Sequence, residues 1–235
     1  AYGPWLLLGW LAATLIPLIG VTGSVAMRLG IACAILLLVA RPSVRGRTRR
    51  DWATVIAFGL ALAATNTTFY ASLTRLPIGV AVTIEFLGPL VLAASLSRHL
   101  RDAVAVLAAA VGVALISHAF TTPWAELDLL GIGLALAAGA CWAAYIVLSG
   151  ATGARFAQVD GLAIAMVVAS VAVVPVGIAQ HGSSLLAPEA LAKGVGIALL
   201  SSVIPYSLEL LALRRMTARV FGILLSLEPA FAALA

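Results

Sequence analysis

Long apolar runs of about 20 residues alternate with short polar connections along almost the whole chain. Runs of that length match a hydrocarbon core ~30 Å thick crossed by helices. The pattern predicts nine spans: 4–19, 21–40, 52–73, 77–97, 103–119, 128–149, 160–180, 190–213 and 219–235. The first is short, and the ninth is cut at the chain end. Arg41-Pro42 closes the second span, and Pro77 opens the fourth in its first turn, where a missing N–H is harmless. No connection is long enough to be a soluble domain.

Composition agrees. Hydrophobic residues make up 63% of the 235 and charged ones 10%, against about 25% charged in soluble domains. The expected class is an all-α polytopic membrane protein. A chain that starts at Ala1 and stops at Ala235 within an apolar run reads as a fragment. The net charge of +5 does not point to nucleic acid, because the basic residues sit in connections and not on one stripe. Arg41, Arg45, Arg47, Arg49, Arg50, Arg98, Arg101, Arg155, Arg214, Arg215 and Arg219 all fall on one side if every span crosses. The other side has Arg75 and Lys193. That bias puts the Arg-rich connections in the cytoplasm. Cys33 and Cys141 fall inside spans and read as small packing residues. No motif for a cofactor, a metal or a catalytic nucleophile is present.

The second half faintly repeats the first. A shift of 140 residues lays 72–94 on 212–234 and matches Leu73, Arg75, Val80, Leu87, Pro89 and Ala93 with Leu213, Arg215, Val220, Leu227, Pro229 and Ala233. The shift equals five spans, an odd number, so the second copy is inverted. Inverted repeats mark transporters that bind substrate near mid-membrane. The predicted domains are 1–119 and 128–235, and a tenth span is expected after Ala235.

Three acids interrupt apolar runs: Glu85, Glu209 and Glu228. A charge at a helix centre costs roughly 3 kcal/mol on insertion scales, so such a residue marks a path or a site. Pro89 cannot donate to the carbonyl of Glu85, and Pro229 lies beside Glu228. Each of these helices pairs a carboxyl group with a loosened backbone, ~12–13 Å from opposite surfaces at the standard helical rise. A kinked, packed helix with a hydrogen-bonded acid is the plain structural alternative. Arg28 is the one basic residue deep in a span. It can pair with Glu85, meet a substrate carboxylate, or reach along its stem to headgroups. Glu209 follows Pro205 and Tyr206 near the cytoplasmic end of its span, where pairing with an arginine of the next loop is the alternative. Asn66 lies among threonines in the third span, either in a pocket or bonded to a neighbouring helix. Trp142 and Tyr145 share one face of the sixth, flanking a substrate or packing. Gly131, Ala135, Gly139 and Ala143 form a small-residue packing seam.

The segments "VAVTIEFLGPL", "IPYSLELLAL", "FGILLSLEPA" and "GACWAAYIVLSG", with Arg28 in "AMRLGIA", resemble the drug/metabolite transporter superfamily with its EamA-type halves. Within it they resemble the bacterial threonine/homoserine exporter branch. The resemblance implies a ten-helix fold of two inverted five-helix repeats, multi-pass in the bacterial inner membrane. It also implies alternating access and export of small amino acids, with the proton as coupling ion. Monomer and homodimer both fit. Kinks at Pro89, Pro205 and Pro229 let half-helices rock. The rivals are an exporter of a different metabolite, an intramembrane enzyme and a non-transporting scaffold.

Overall fold

A computed structural model describes residues 3–96, 104, 107–108, 111–112 and 127–225. The helices are α1 (Gly3–Ala40), α2 (Arg49–Leu73), α3 (Ile78–Ser95), α4 (Leu129–Gly153), α5 (Asp160–His181), α6 (Pro188–Ala198), α7 (Ile204–Leu213) and α8 (Ala218–Leu225). Gly182–Leu186 forms a 3-10 turn, and a π turn at Leu199–Val203 joins α6 to α7. Among the described residues, six segments are long and apolar enough to cross a membrane: Leu18–Ala40, Arg49–Leu73, Ile78–Ser95, Leu129–Gly153, Asp160–Leu186 and Pro188–Leu213. They coincide with the second, third, fourth, sixth, seventh and eighth predicted spans. Most of the fifth, and the end of the ninth with Glu228 and Pro229, lie outside the described residues.

Local chemistry sets the helix boundaries. The expected junction of the first two spans is Gly20, which breaks α1 at φ 65° and ψ 176°. Only glycine takes that conformation without strain. The His181 ring fills the notch: a Cβ built on Gly20 would lie 2.7 Å from its Cε1. Thr48 and Asp51 cap α2 reciprocally, Asp51 N–H donating to Thr48 Oγ1 (3.2 Å) and Thr48 N–H to Asp51 Oδ2 (3.0 Å). Pro77 stands one residue before α3, not in its first turn as expected. Its ψ of 139° is extended, while its carbonyl accepts the helix's first bond, from Ala81. Asp128 caps α4 by accepting from Gly131 N–H (2.8 Å). That bond is the main reason its carboxyl lies below the ordinary 3.8; desolvation opposes it, and the Arg75 guanidinium adds to the lowering. A lowered carboxyl contributes stability above 3.8 and loses it as pH falls through the folded value.

The chain forms two compact units. The first combines Ala1–Ala63 with Leu148–Arg214. Within it α1 packs on α5 and α6. Gly177 admits Ala26, Gly30 admits Val174, and Gly194 admits Met27. Such small residues let helix backbones approach where lipid supplies no hydrophobic drive. Leu15, Ile19, Met27, Leu185, Ala190 and Ile197 form a core.

The connection between α4 and α5 is tied at both ends. Arg155 Nη1 donates to Asp51 Oδ1 (3.1 Å), and Arg47 Nη1 to the Arg155 carbonyl (3.0 Å). The Arg47 guanidinium also lies 4.4 Å from the centre of the buried Phe156 ring. Arg214 donates to the carbonyls of Gly153 (2.8 Å), Phe156 (2.7 Å) and Gln158 (3.4 Å). A cation belongs on the last carbonyls of a helix. Arg214→Ala should therefore cost about 1–3 kcal/mol and lower Tm by roughly 3–10 °C. Arg214→Lys should recover little, since one ammonium cannot span that fork. Thermal unfolding in detergent measures both, and an unchanged Tm for Arg214→Ala contradicts the tie.

The second unit combines Ala64–Val147 with Arg215–Ala235. Leu76, Val80, Ala81, Ile84 and Ala135 form its core, with Phe69, Leu73, Leu127 and Ile132 against it. Arg75 Nη1 meets Asp128 Oδ2 at 3.0 Å beside it.

Candidate functional site

Glu85 stands near the middle of α3 and is buried. Pro89 has no N–H, so the Glu85 carbonyl has no donor four residues on. That carbonyl faces Gly139 of α4, where a Cβ would lie 2.6 Å from it. A Cβ on Gly88 would overlap the Gly139 carbonyl and Cα. From the other side Gly222 of α8 meets the Pro89 carbonyl, at 3.0 Å from a built Cβ. The α3 backbone around Glu85 is thus clamped by glycines on two helices. Phe86 adds an edge-to-face contact with Trp142, centroids 4.9 Å apart. The small-residue seam of α4 is this crossing, with Ala135 in the core and Gly131 against Leu76. Its counterpart Gly88 and the contact of Gly222 were missed, although a glycine directly before a proline in a span is the signal for the first.

Asn66 and Tyr145 are buried in the same unit as Glu85 and Trp142. Beside Asn66, Thr68 Oγ1 donates to the Ala64 carbonyl (2.7 Å) and is satisfied locally. Arg28 belongs to the first unit, with Pro205, Tyr206 and Glu209. It is buried, so its stem does not lie along lipid. Tyr206 and Glu209 are half-buried on α7, three apart and on one face. Arg28, Asn66, Glu85, Tyr145, Tyr206 and Glu209 are each engaged by a neighbour. Pro205 follows the π turn, where Ile204 N–H donates to the Leu199 carbonyl five residues back. The next carbonyl at that spacing, Leu200, gets no donor from Pro205. Sequence reading expected a kink at Pro205 and missed the wider turn before it. Cys33 and Cys141 are free thiols. Among the described residues, no three His, Cys, Asp or Glu side chains group as a metal site would need.

Each unit thus carries its own set of polar side chains, buried or half-buried, on helices with irregular backbone. Comparison with known proteins adds four findings. Residues 129–235 match the model of the EamA-like transporter family. The chain is 37% identical to the threonine/homoserine exporter RhtA of Escherichia coli K12 over 227 residues, covering 95% of this chain and 75% of that one. It is also 37% identical to RhtA of Salmonella typhimurium LT2 over 223 residues, with the same shares. A crystal structure of another protein has the same fold at a TM-score of 0.67 and 18% identity, over 98% of this chain and 86% of that one.

Proposed function

The chain belongs to the EamA-like transporter family, in the RhtA branch of the drug/metabolite transporter superfamily, and from that premise we propose that it exports small amino acids of the threonine and homoserine kind by proton antiport. The observation that carries the substrate class is the 37% identity across 95% of the chain to exporters so named. Family membership makes it a multi-pass membrane transporter and not an enzyme. The proposed setting is the bacterial inner membrane, with the Arg-rich connections in the cytoplasm and two inverted five-helix halves alternating in access.

In this mechanism Glu85 carries the proton, with Glu228 as its counterpart in the inverted copy. Burial away from water favours an uncharged carboxyl group. Wetting from outside delivers a proton, and wetting from inside releases it as the amino acid enters. The substrate ammonium favours the charged carboxylate, which couples the two events. Asn66 meets the substrate carboxylate, while Trp142 and Tyr145 flank its side chain. The clamped α3 backbone supports a fixed position for Glu85, and the irregular backbone at Pro89 and Pro205 supports rocking about these points.

Vesicles holding the protein and loaded with labelled threonine or homoserine test this. Acidifying the outside should speed efflux at least fivefold over a vesicle without a pH difference. Efflux no faster than from protein-free vesicles removes the substrate class. Acceleration by a sodium gradient alone removes the proton.

A further inference from the structure

Hydroxyl groups in membrane helices ordinarily donate back to a carbonyl three or four residues earlier. Several of those described here do. Thr54, Thr68, Thr83 and Ser201 bond to the carbonyls of Arg50, Ala64, Gly79 and Ile197 at 2.7–2.8 Å. Three do not. Ser149 and Thr152 on α4 and Ser202 in the π turn are fully buried, and their oxygens have no hydrogen-bond partner. Ser202 differs in this from Ser201 beside it. A buried unsatisfied hydroxyl costs about 1–3 kcal/mol, and alanine would avoid that cost at each position.

All three lie in the first unit, where one contact relates α4 to α7. Gly153 at the end of α4 faces α7, with a built Cβ 3.6 Å from the Leu210 carbonyl and 2.9 Å from Arg214 Cγ. Ser149 is one turn back on the same face. Thr152 packs against Gly161 at the start of α5. One span, α5, separates α4 from the α6–α7 segment, so α4 and α7 run the same way. Four residues back, ~6 Å, bring Ser149 level with Tyr206, and one more turn along that segment reaches Ser202. Tyr206 and Glu209 share one face of α7, and Ser202 lies in the π turn before them. The row runs from the arginine-tied turn at Arg155 to the π turn, a rise of ~16 Å over the eleven residues from Ser202 to Leu213. That is about half of a ~30 Å core. The Leu200 carbonyl, left without a donor from Pro205, lies at its inner end.

We propose that Ser149, Thr152 and Ser202 line a narrow water path that enters the first unit from the end carrying Arg155 and Arg214, and that Glu209 is its proton-binding group. The lining groups are oxygen only: hydroxyls that donate and accept, and a backbone carbonyl and a carboxylate that accept. A buried water takes about three bonds from such groups. Ionisable residues within spans mark proton relays, and Glu209 is the ionisable residue of this row. Glu209 then exchanges protons with the cytoplasm, and the structural pairing expected for it becomes secondary. The proton role rests on the export reading above; the water path does not.

Two measurements decide it. In a background of Cys33→Ala and Cys141→Ala, cysteines replace Ser149, Thr152 or Ser202 one at a time. A small water-borne thiol reagent is added to sealed vesicles on the side of Arg155. The three thiols should react at least tenfold faster than Ala169→Cys, which is fully buried on α5. Rates equal to that control, or reaction only from the opposite side, overturn the path whatever the cargo. The combined Ser149→Ala, Thr152→Val and Ser202→Ala protein should slow proton-driven efflux at least tenfold and leave amino-acid affinity within threefold. Unchanged efflux overturns the relay, and an equal loss of affinity makes the hydroxyls cargo contacts instead.

Discussion

Gly88→Ala should lower Tm by roughly 10 °C, or stop the protein from accumulating, through about 3 kcal/mol or more of overpacking. The atoms met by the new methyl belong to the Gly139 backbone, which cannot rotate away as a side chain can. The α3–α4 pair must separate, and separation also disturbs the Phe86–Trp142 contact. Gly139→Ala should follow closely, since its methyl would sit 2.6 Å from the Glu85 carbonyl. Gly222→Ala should be milder, at 3.0 Å from the Pro89 carbonyl. Gly133 and Gly150 have open space at the corresponding point, so alanine there should be neutral or stabilise by up to about 1 kcal/mol. The order of the five is the test, read by thermal unfolding in detergent. A Gly88→Ala protein that melts with the Gly133→Ala protein contradicts the crossing.

Much of this architecture was legible because membrane insertion leaves a strong, simple signal. Apolar run length located six spans to within a few residues, and the expected junction after residue 19 proved to be the glycine that breaks α1. Positions that depend on another helix were not legible. Counting arginines treats Arg47, Arg155 and Arg214 like Arg45 and Arg49. Folded, the first three bind carbonyls, Asp51 and the Phe156 ring. The π turn left no mark in hydropathy, because the run from Gly194 to Leu200 reads as one uninterrupted helix. Only Pro205, five residues past Leu200, hinted at missing donors. The α4 seam was visible as small residues four apart, but its consequence was not. It sets the backbone that carries Glu85, and that required Gly88 and Gly139 to be seen together. The same limit applies to the three hydroxyls, since a serine in a span says nothing of whether its own helix satisfies it.

Glu85→Gln should reduce proton-driven efflux at least tenfold while leaving Tm within about 3 °C of the parent. The amide keeps the size of the carboxyl group and its ability to accept a hydrogen bond, so the clamp formed by Gly139, Gly222 and Trp142 stays intact. What it loses is the exchangeable proton. Efflux from the parent should rise as the outside is acidified, because that side loads the carboxyl group. In the Gln protein that dependence should flatten. Exchange of labelled for unlabelled amino acid across equal pH needs no net proton movement and should fall by less than threefold. Glu85→Asp should give an intermediate rate, since the shorter carboxyl group titrates but sits about one methylene further from its partners. A Gln protein that keeps efflux and its pH dependence within twofold leaves Glu85 as a structural acid. Glu228→Gln and Glu209→Gln then show which remaining carboxyl group carries the proton. If exchange collapses together with efflux, Glu85 holds the substrate ammonium directly, and coupling arises because proton and amino acid compete for one carboxylate.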